Sequence, residues 1–166
     1  TNGAVSNFSR DTHVSVTAEN AAITGNINVW GNAGQYNNAN DSNVVNLKLG
    51  DGSVISGDVS IIGKGQETNQ VAITATGTNK NLSFKGNISA TNQGSLILNG
   101  GTYNVGALKL ENRGTLTLDE GRLVTAGNQV FKSFVLNQSV DSLVDGLTLN
   151  DSELALTDTG TISQSF

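Results

Sequence analysis

Apolar and polar positions alternate in short bursts along this chain, and the bursts recur. Ile23-Thr24-Gly25-Asn26-Ile27-Asn28-Val29 returns as Ile55-Ser56-Gly57-Asp58-Val59-Ser60-Ile61, and again as Phe84-Lys85-Gly86-Asn87-Ile88-Ser89-Ala90. Each copy runs from a large apolar residue through a small or polar one to Gly, then Asn or Asp, then alternating apolar positions. Weaker copies follow at Gly106-Ala107-Leu108-Lys109-Leu110 and around Gly127-Asn128-Gln129-Val130. The glycines at 25, 57, 86 and 106 are spaced by 32, 29 and 20 residues. Alternation with a period of two is the strand signal, and self-similarity at steps of this size marks a stacked repeat.

Five rounds share one order: short strand, tight polar turn, second strand, Gly, third strand, variable loop. The opening strands are 14–17, 45–49, 71–74, 95–98 and 115–118. The turns follow at 18–22, Gly50-Asp51-Gly52-Ser53, 78–80, Gly100-Gly101 and Asp119-Glu120-Gly121. The remaining strands lie within 23–30, 54–62, 82–90, 103–110 and 123–130. Residues 1–11 are weakly patterned and read either as a ragged start or as a strand covering the first round. No helical period with cap signals appears. A round this short cannot bury its own apolar face, so the rounds must stack. The pattern therefore predicts an all-β, single-stranded parallel β-helix of about five to seven rungs, one domain over 1–166. Inward Val, Ile and Leu would pile into aliphatic columns. The recurring Gly would line a bend whose backbone angles disfavour a side chain. Asn26, Asp58 and Asn87 would sit one step on, as an amide ladder that Asp58 interrupts.

From 131 the pattern drifts. Phe131, Phe134, Val135 and Leu136 form an apolar burst, and 143–149 with 153–156 look like one further round. A solenoid end exposes a layer that must be covered. Residues 131–166 are thus expected to be less regular final rungs or a cap; the alternative is a solenoid that continues past Phe166.

Composition narrows the partners. Only 5% of residues are aromatic, 20 are Gly, and Pro, Cys and Met are absent, which suits a thin aliphatic core. Without Cys there are no disulfides and no thiolate metal sites. The net charge of −5, with no basic stripe, argues against nucleic acid or an anionic membrane as partner. No apolar run approaches membrane-spanning length, so membrane insertion by this segment is not expected. No signal peptide is visible, and the opening inside repeat-like sequence suggests a segment of a longer protein.

Candidate chemistry is sparse. Parallel β-helices that cleave sugars need clustered carboxylates. The candidates are Asp119 with Glu120, Asp141 with Asp145, and Asp51 with Asp58. All of these read first as turn or tail residues, since Asp is at home in turns. His13 is the sole His and reads as structural or exposed, because a triad needs an oriented partner. Gly63-Lys64-Gly65 lacks phosphate-loop spacing, and the calcium-loop patterns are absent. No cofactor or metal is expected. The Asn-Xaa-Ser sites at Asn7, Asn81, Asn87 and Asn137 would matter only in a eukaryotic secretory route.

The stretch that stands out is residues 31–43, following the only Trp. Trp30, Tyr36, Asn37, Asn38 and Asp41 are the candidate binding residues: aromatic faces for stacking on a sugar ring, amides and a carboxylate for its hydroxyls. The plainer reading is a surface excursion with Trp30 packed on its hinge, the commoner case for exposed loops. Residues 63–70 form a second excursion; the two could form one surface if both leave the same corner. The Ser-, Thr- and Asn-rich flank is a second candidate surface, for self-association.

The Gly-Asn-Ile and Gly-Asp-Val repeats, with Asn112-Arg113-Gly114-Thr115-Leu116-Thr117-Leu118 and Gly50-Asp51-Gly52-Ser53-Val54-Ile55-Ser56-Gly57, resemble those of passenger domains of bacterial type V autotransporters. The compact rounds are also similar to filamentous-haemagglutinin-like adhesins secreted by the two-partner route. The resemblance covers roughly 14–130. It implies a right-handed helix, a place on the bacterial cell surface or in the secreted fraction, and outer-membrane anchoring through a part not in this chain. No Gly-Asp-Ser-Gly serine-protease motif occurs, so the protease subgroup is not implied. The expectation is a non-enzymatic adhesin segment tied to cell adhesion and virulence. Its partners would be a host-surface protein or glycan, or copies of itself. The alternatives are a carbohydrate-active β-helix enzyme and a surface-layer or toxin scaffold.

Overall fold

Alternating strands of two to eight residues, broken by corners, fold into a coil whose turns lie on one another. The computed structural model describes residues 5–7, 12–31, 42–63, 68–125, 129–131, 134–136, 146–156 and 162–164. In chain order the strands are β1 (Val5–Asn7), β2 (Thr12–Ala18), β3 (Ala22–Ile23), β4 (Ile27–Trp30), β5 (Ser42–Leu49), β6 (Val54–Ile55) and β7 (Val59–Ile62). There follow β8 (Thr68–Ala75), β9 (Asn81–Phe84), β10 (Ile88–Thr91), β11 (Ser95–Asn99), β12 (Thr102–Asn104), β13 (Leu108–Glu111), β14 (Thr115–Asp119) and β15 (Arg122–Thr125). The last are β16 (Gln129–Phe131), β17 (Phe134–Leu136), β18 (Gly146–Asn150), β19 (Glu153–Leu156) and β20 (Ile162–Gln164). Among the described residues there is no helix, and hence none long and apolar enough to cross a membrane.

Three parallel sheets result. Sheet A is β1-β4-β7-β10-β13, sheet B is β2-β5-β8-β11-β14-β18-β17, and sheet C is β3-β6-β9-β12-β15-β19. Each regular turn visits B, then C, then A, so every strand pairs with its counterpart one turn away. This is a parallel β-helix, as the repeat pattern predicts, and β1 is a sheet-A strand that precedes its first full turn. The columns follow from the register. Val45, Val71, Leu96, Leu116 and Leu147 stack in sheet B; Ile27, Val59, Ile88 and Leu108 stack in sheet A. All but Leu108 are essentially buried. Each fully buried aliphatic side chain contributes about 1.5–3 kcal/mol relative to exposure, so the core is a sum of thin layers rather than one centre.

Sheet C admits a phenol. Tyr103 stacks between Leu82 and Leu123 and is fully buried, with its ring centroid 6.4 Å from that of Phe84. Its hydroxyl lies 2.7 Å from the carbonyl oxygen of Asn99 and 3.1 Å from that of Ile73, sharing its one proton between them. Burial pushes the phenol far above its ordinary pKa, so it remains a donor.

Two expectations need correcting at the corner from sheet C to sheet A. Gly57 and Gly86 do not have the positive φ that would demand glycine. They are required because the preceding turn comes too close. A Cβ at Gly57 would sit 2.2 Å from the carbonyl oxygen of Gly25, and one at Gly86 would sit 2.3 Å from that of Gly57. Nor is the column beside them an amide ladder that Asp58 breaks. Asn26 Oδ1 accepts the backbone N–H of Asp58 (2.9 Å), and Asp58 Oδ1 accepts that of Asn87 (2.8 Å). Only an acceptor is needed, so Asp serves as well as Asn.

Beyond β15 the regular order fails. β16 pairs with β20 instead of β13, leaving β13 as the last strand of sheet A. The chain forms β17 before β18, yet β18 lies between β14 and β17. β18 and β19 are the further round expected at 143–156. The cap expected from the apolar burst at Phe131 and Phe134 rests on side chains outside the described residues. Outward positions also differ along sheet B. Asn46 is exposed, whereas Thr117 and Thr148, at the same register position in later turns, are buried.

Candidate functional site

The corner between sheets A and B takes two forms. After β10 and β13 it is tight. Asn92 and Gln93, and again Asn112 and Arg113, adopt positive φ. The N–H groups of Gly94 and Gly114 then donate to the carbonyls of Thr91 and Glu111, each 2.9 Å away. Two successive left-handed residues closed by such a bond make a turn of the I′ kind, for which Asn is well suited. The glycine that follows is dictated by stacking, since a Cβ would lie 2.4 Å from Ile61 O at Gly94 and 1.8 Å from Ala90 O at Gly114.

After β4 and β7 the same corner opens. Residues 31–41 and 63–67 leave it on adjacent turns. Both excursions therefore do depart from one corner. Each is shorter than the sequence suggests: β5 begins at Ser42 and β8 at Thr68, so 42–43 and 68–70 belong to strands. Asn43 and Asn69 point inward beneath this opening. They are buried, and Asn43 Nδ2 donates to Asn69 Oδ1 at 3.1 Å. Asn43 Oδ1 has no hydrogen-bond partner among the described residues. Gly94, one step before Ser95, falls in the same inward column. Where the corner is tight a Cβ does not fit, and where it is opened an amide does.

Trp30 ends β4 at the lip of this corner. It is 41% exposed and is the one exposed large hydrophobic side chain among the described residues. Its indole N–H donates to Ser60 Oγ on the next turn, 3.1 Å away, so the side chain reaches across the sheet toward the next turn. Its register partner is Ile62. Trp30 is thus partly exposed at the hinge of the first excursion. Tyr36, Asn37, Asn38 and Asp41 lie outside the described residues. Sequence reasoning missed Ser60 and Ile62, although their place in the repeat gives them the same outward positions as Asn28 and Trp30.

The other candidates are scattered. Asp51 sits at the corner between sheets B and C. Its Oδ2 accepts the N–H groups of Thr78 (2.9 Å) and Asn79 (2.8 Å), and its Oδ1 that of Asn81 (3.3 Å). Those bonds, that of Asn79 foremost, hold its carboxyl below the ordinary value of 3.8. Asp58 is at the corner between C and A, so the two do not form a pair. Asp141 and Asp145 lie outside the described residues. Glu120 shares an open groove of about 480 Å³ with Asp151, Glu153 and Arg122, and Arg122 Nε is 3.4 Å from Glu153 Oε1. His13, exposed on β2, has its Nε2 2.7 Å from Ser42 Oγ on β5. Among the described residues no group of three or more His, Cys, Asp or Glu is placed to hold a metal ion.

The fold and this corner define a class, a parallel β-helix with excursions gathered at one corner beside an exposed aromatic. Comparison with family models, with curated proteins and with solved structures finds no match for this chain.

Proposed function

We propose that this chain is a segment of a bacterial surface-exposed or secreted adhesin, non-enzymatic and attaching cells to host surfaces or to one another. The observation that carries the reading is the gathering of both excursions at one corner beside exposed Trp30. A stack of sheets supplies rigidity, and insertions at one face of a solenoid supply recognition. The resemblance of the repeats to autotransporter passengers and filamentous-haemagglutinin-like adhesins supports it independently. Attachment would come from many shallow polar contacts rather than from chemistry.

The test is the attachment and settling of bacteria displaying the parent protein, with and without residues 32–40. Loss of attachment with the loop makes that corner the contact. Rapid settling that survives the deletion assigns self-association to the flank. Neither attachment nor settling in any form overturns the adhesin reading. A second reading, a glycan-cleaving β-helix, has one observation in its favour, the groove at Glu120, Asp151 and Glu153. Release of reducing ends from a glycan, abolished by Glu120→Gln or Asp151→Asn, would establish it in place of the first.

A further inference from the structure

The outer face of sheet A carries the one exposed large aromatic side chain among the described residues, beside neutral polar columns. By alternation, Asn28 and Trp30 face outward on β4, Ser60 and Ile62 on β7, and Ser89 and Thr91 on β10. Register places Asn28, Ser60 and Ser89 in one straight column, and Trp30, Ile62 and Thr91 in the next. The columns run along the coil axis, at the usual strand spacing of about 4.8 Å per turn. Charge enters only on β13, where Lys109 Nζ and Glu111 Oε2 are 3.7 Å apart and offset each other. The face is therefore neutral, hydroxyl- and amide-bearing, and straight, with one exposed indole at its first described turns. Sheet B also has polar outward positions in its earlier turns, Ser15, Asn46, Thr74 and Asn99 among them, but it carries no Trp or Tyr there, adds the charge of Lys48, and is buried at Thr117 and Thr148.

We infer that this face is a binding track for an extended, neutral, β-1,4-linked glycan, with Trp30 as the stacking platform at one end. This rests on the adhesin reading and gives its ligand class. Several features select that ligand. An aromatic face packs on the apolar face of a pyranose ring, the same amphipathic use that enriches Trp at interfaces. A hydroxyl such as Ser60 both accepts and donates, so it can hold the indole N–H and still give its own proton to a sugar oxygen. An extended β-1,4 chain advances by about one turn of the coil per ring, so successive rings meet successive side chains of a straight column. A coiled glycan would leave the column after one contact. An acidic glycan would bring charge to a face whose one cation is already paired, on a chain of net charge −5.

Because Trp30 is the only Trp, its fluorescence reports on the track directly. Cellohexaose and chitohexaose are the probes, with an oligogalacturonate hexamer as the acidic control. At least one neutral hexasaccharide is expected to shift the emission saturably. Affinity should rise from disaccharide to tetrasaccharide and level off near the number of turns in the face, and the acidic hexamer should give no shift. Measured by calorimetry, Trp30→Ala should bind roughly tenfold more weakly or worse, the scale of one good aromatic contact. It should melt with the parent, since the side chain is outward. Ser60→Ala and Ser89→Ala should each cost less. Failure of both neutral hexasaccharides to bind at millimolar concentration, or unchanged affinity in Trp30→Ala, overturns the track. Cell attachment that persists in Trp30→Ala would discard the track and leave the adhesin reading standing. Absence of attachment despite hexasaccharide binding would do the reverse.

Discussion

At the corner from sheet C to sheet A the chain always spends three residues, 24–26, 56–58, 85–87 and 105–107, whereas from A to B it spends between three and eleven. The contrast is physical. At the first corner the successive turns nest so closely that Gly57 and Gly86 have no room for a Cβ. An insertion there would lift every later turn off the one before it. At the second corner a tight version exists and needs its own glycine, but the turn faces outward and can be exchanged for a longer path. The price is one inward position, where Gly94 and Gly114 give way to Asn43 and Asn69. One corner carries the stacking and the other is free to vary, so recognition is expected at the second.

The strongest way to break this comparison is to put a methyl group at each corner glycine in turn. Gly57→Ala is expected to destabilise by about 3 kcal/mol, because backbone rather than a flexible side chain stands in the way. Gly106→Ala, at the equivalent point of a later turn, meets nothing within 4 Å. It should change stability by less than about 0.5 kcal/mol. Chemical denaturation of both variants decides the matter. Equal effects would mean that close approach is not what selects glycine there.

That difference between Gly57 and Gly106 also marks the limit of what sequence can say. The period-two alternation and the recurring Gly were enough to place the strands, their order and the inward columns, because those depend on residues close in the chain. The distance between turns at a corner depends on residues about 30 apart, so the reason for each glycine was not legible. Asn43 read as loop because polar residues surround it, yet it is buried and paired with Asn69. The exchange of Gly for Asn in that column is the signal that marks the corner as opened. At the far end, Phe134 and Leu136 alternate as Leu147 and Leu149 do. A 20-residue step from Leu116 lands on Leu136, so chain order favours β17 beside β14. The structure gives that place to β18, and alternation alone cannot rank two strands of the same pattern. Of the candidate site, Trp30 and the shared corner were legible, while Ser60 and Ile62 were hidden in strands that read as scaffold.

The corner between sheets B and C is a third case, in which a side chain does the joining. Asp51 accepts three N–H groups from the next turn, and its carboxyl is held below 3.8. A folded-state pKa below the unfolded one adds stability above the unfolded value, and that stability is lost as pH falls through the folded one. Asp51→Asn should thus melt below the parent at neutral pH, since an amide aims N–H at N–H. The gap should stay constant above about pH 5 and narrow below 3.8. Melting curves between pH 2 and 7 check this, and a gap indifferent to pH would mean that the charge of Asp51 contributes nothing.

A small effect on stability is expected from the largest change in sequence. Replacing residues 31–43 by Asn-Gln-Gly copies the tight corner that joins β10 to β11, glycine included. Shortening the connection about fourfold recovers about 1 kcal/mol of loop-closure entropy. Losing the hydrogen bond between Asn43 and Asn69 costs about 1 kcal/mol. The two nearly cancel, so the variant should unfold within about 1 kcal/mol of the parent. Keeping Asn43 and shortening only 31–42 should do worse, because its Cβ would then meet the sheet-A strand of the neighbouring turn as one at Gly94 would meet Ile61. If the glycine version instead loses several kcal/mol, the excursion is part of the core and the corner is not free to vary. If it folds like the parent but no longer attaches, the same thirteen residues are dispensable to the coil and necessary to its use.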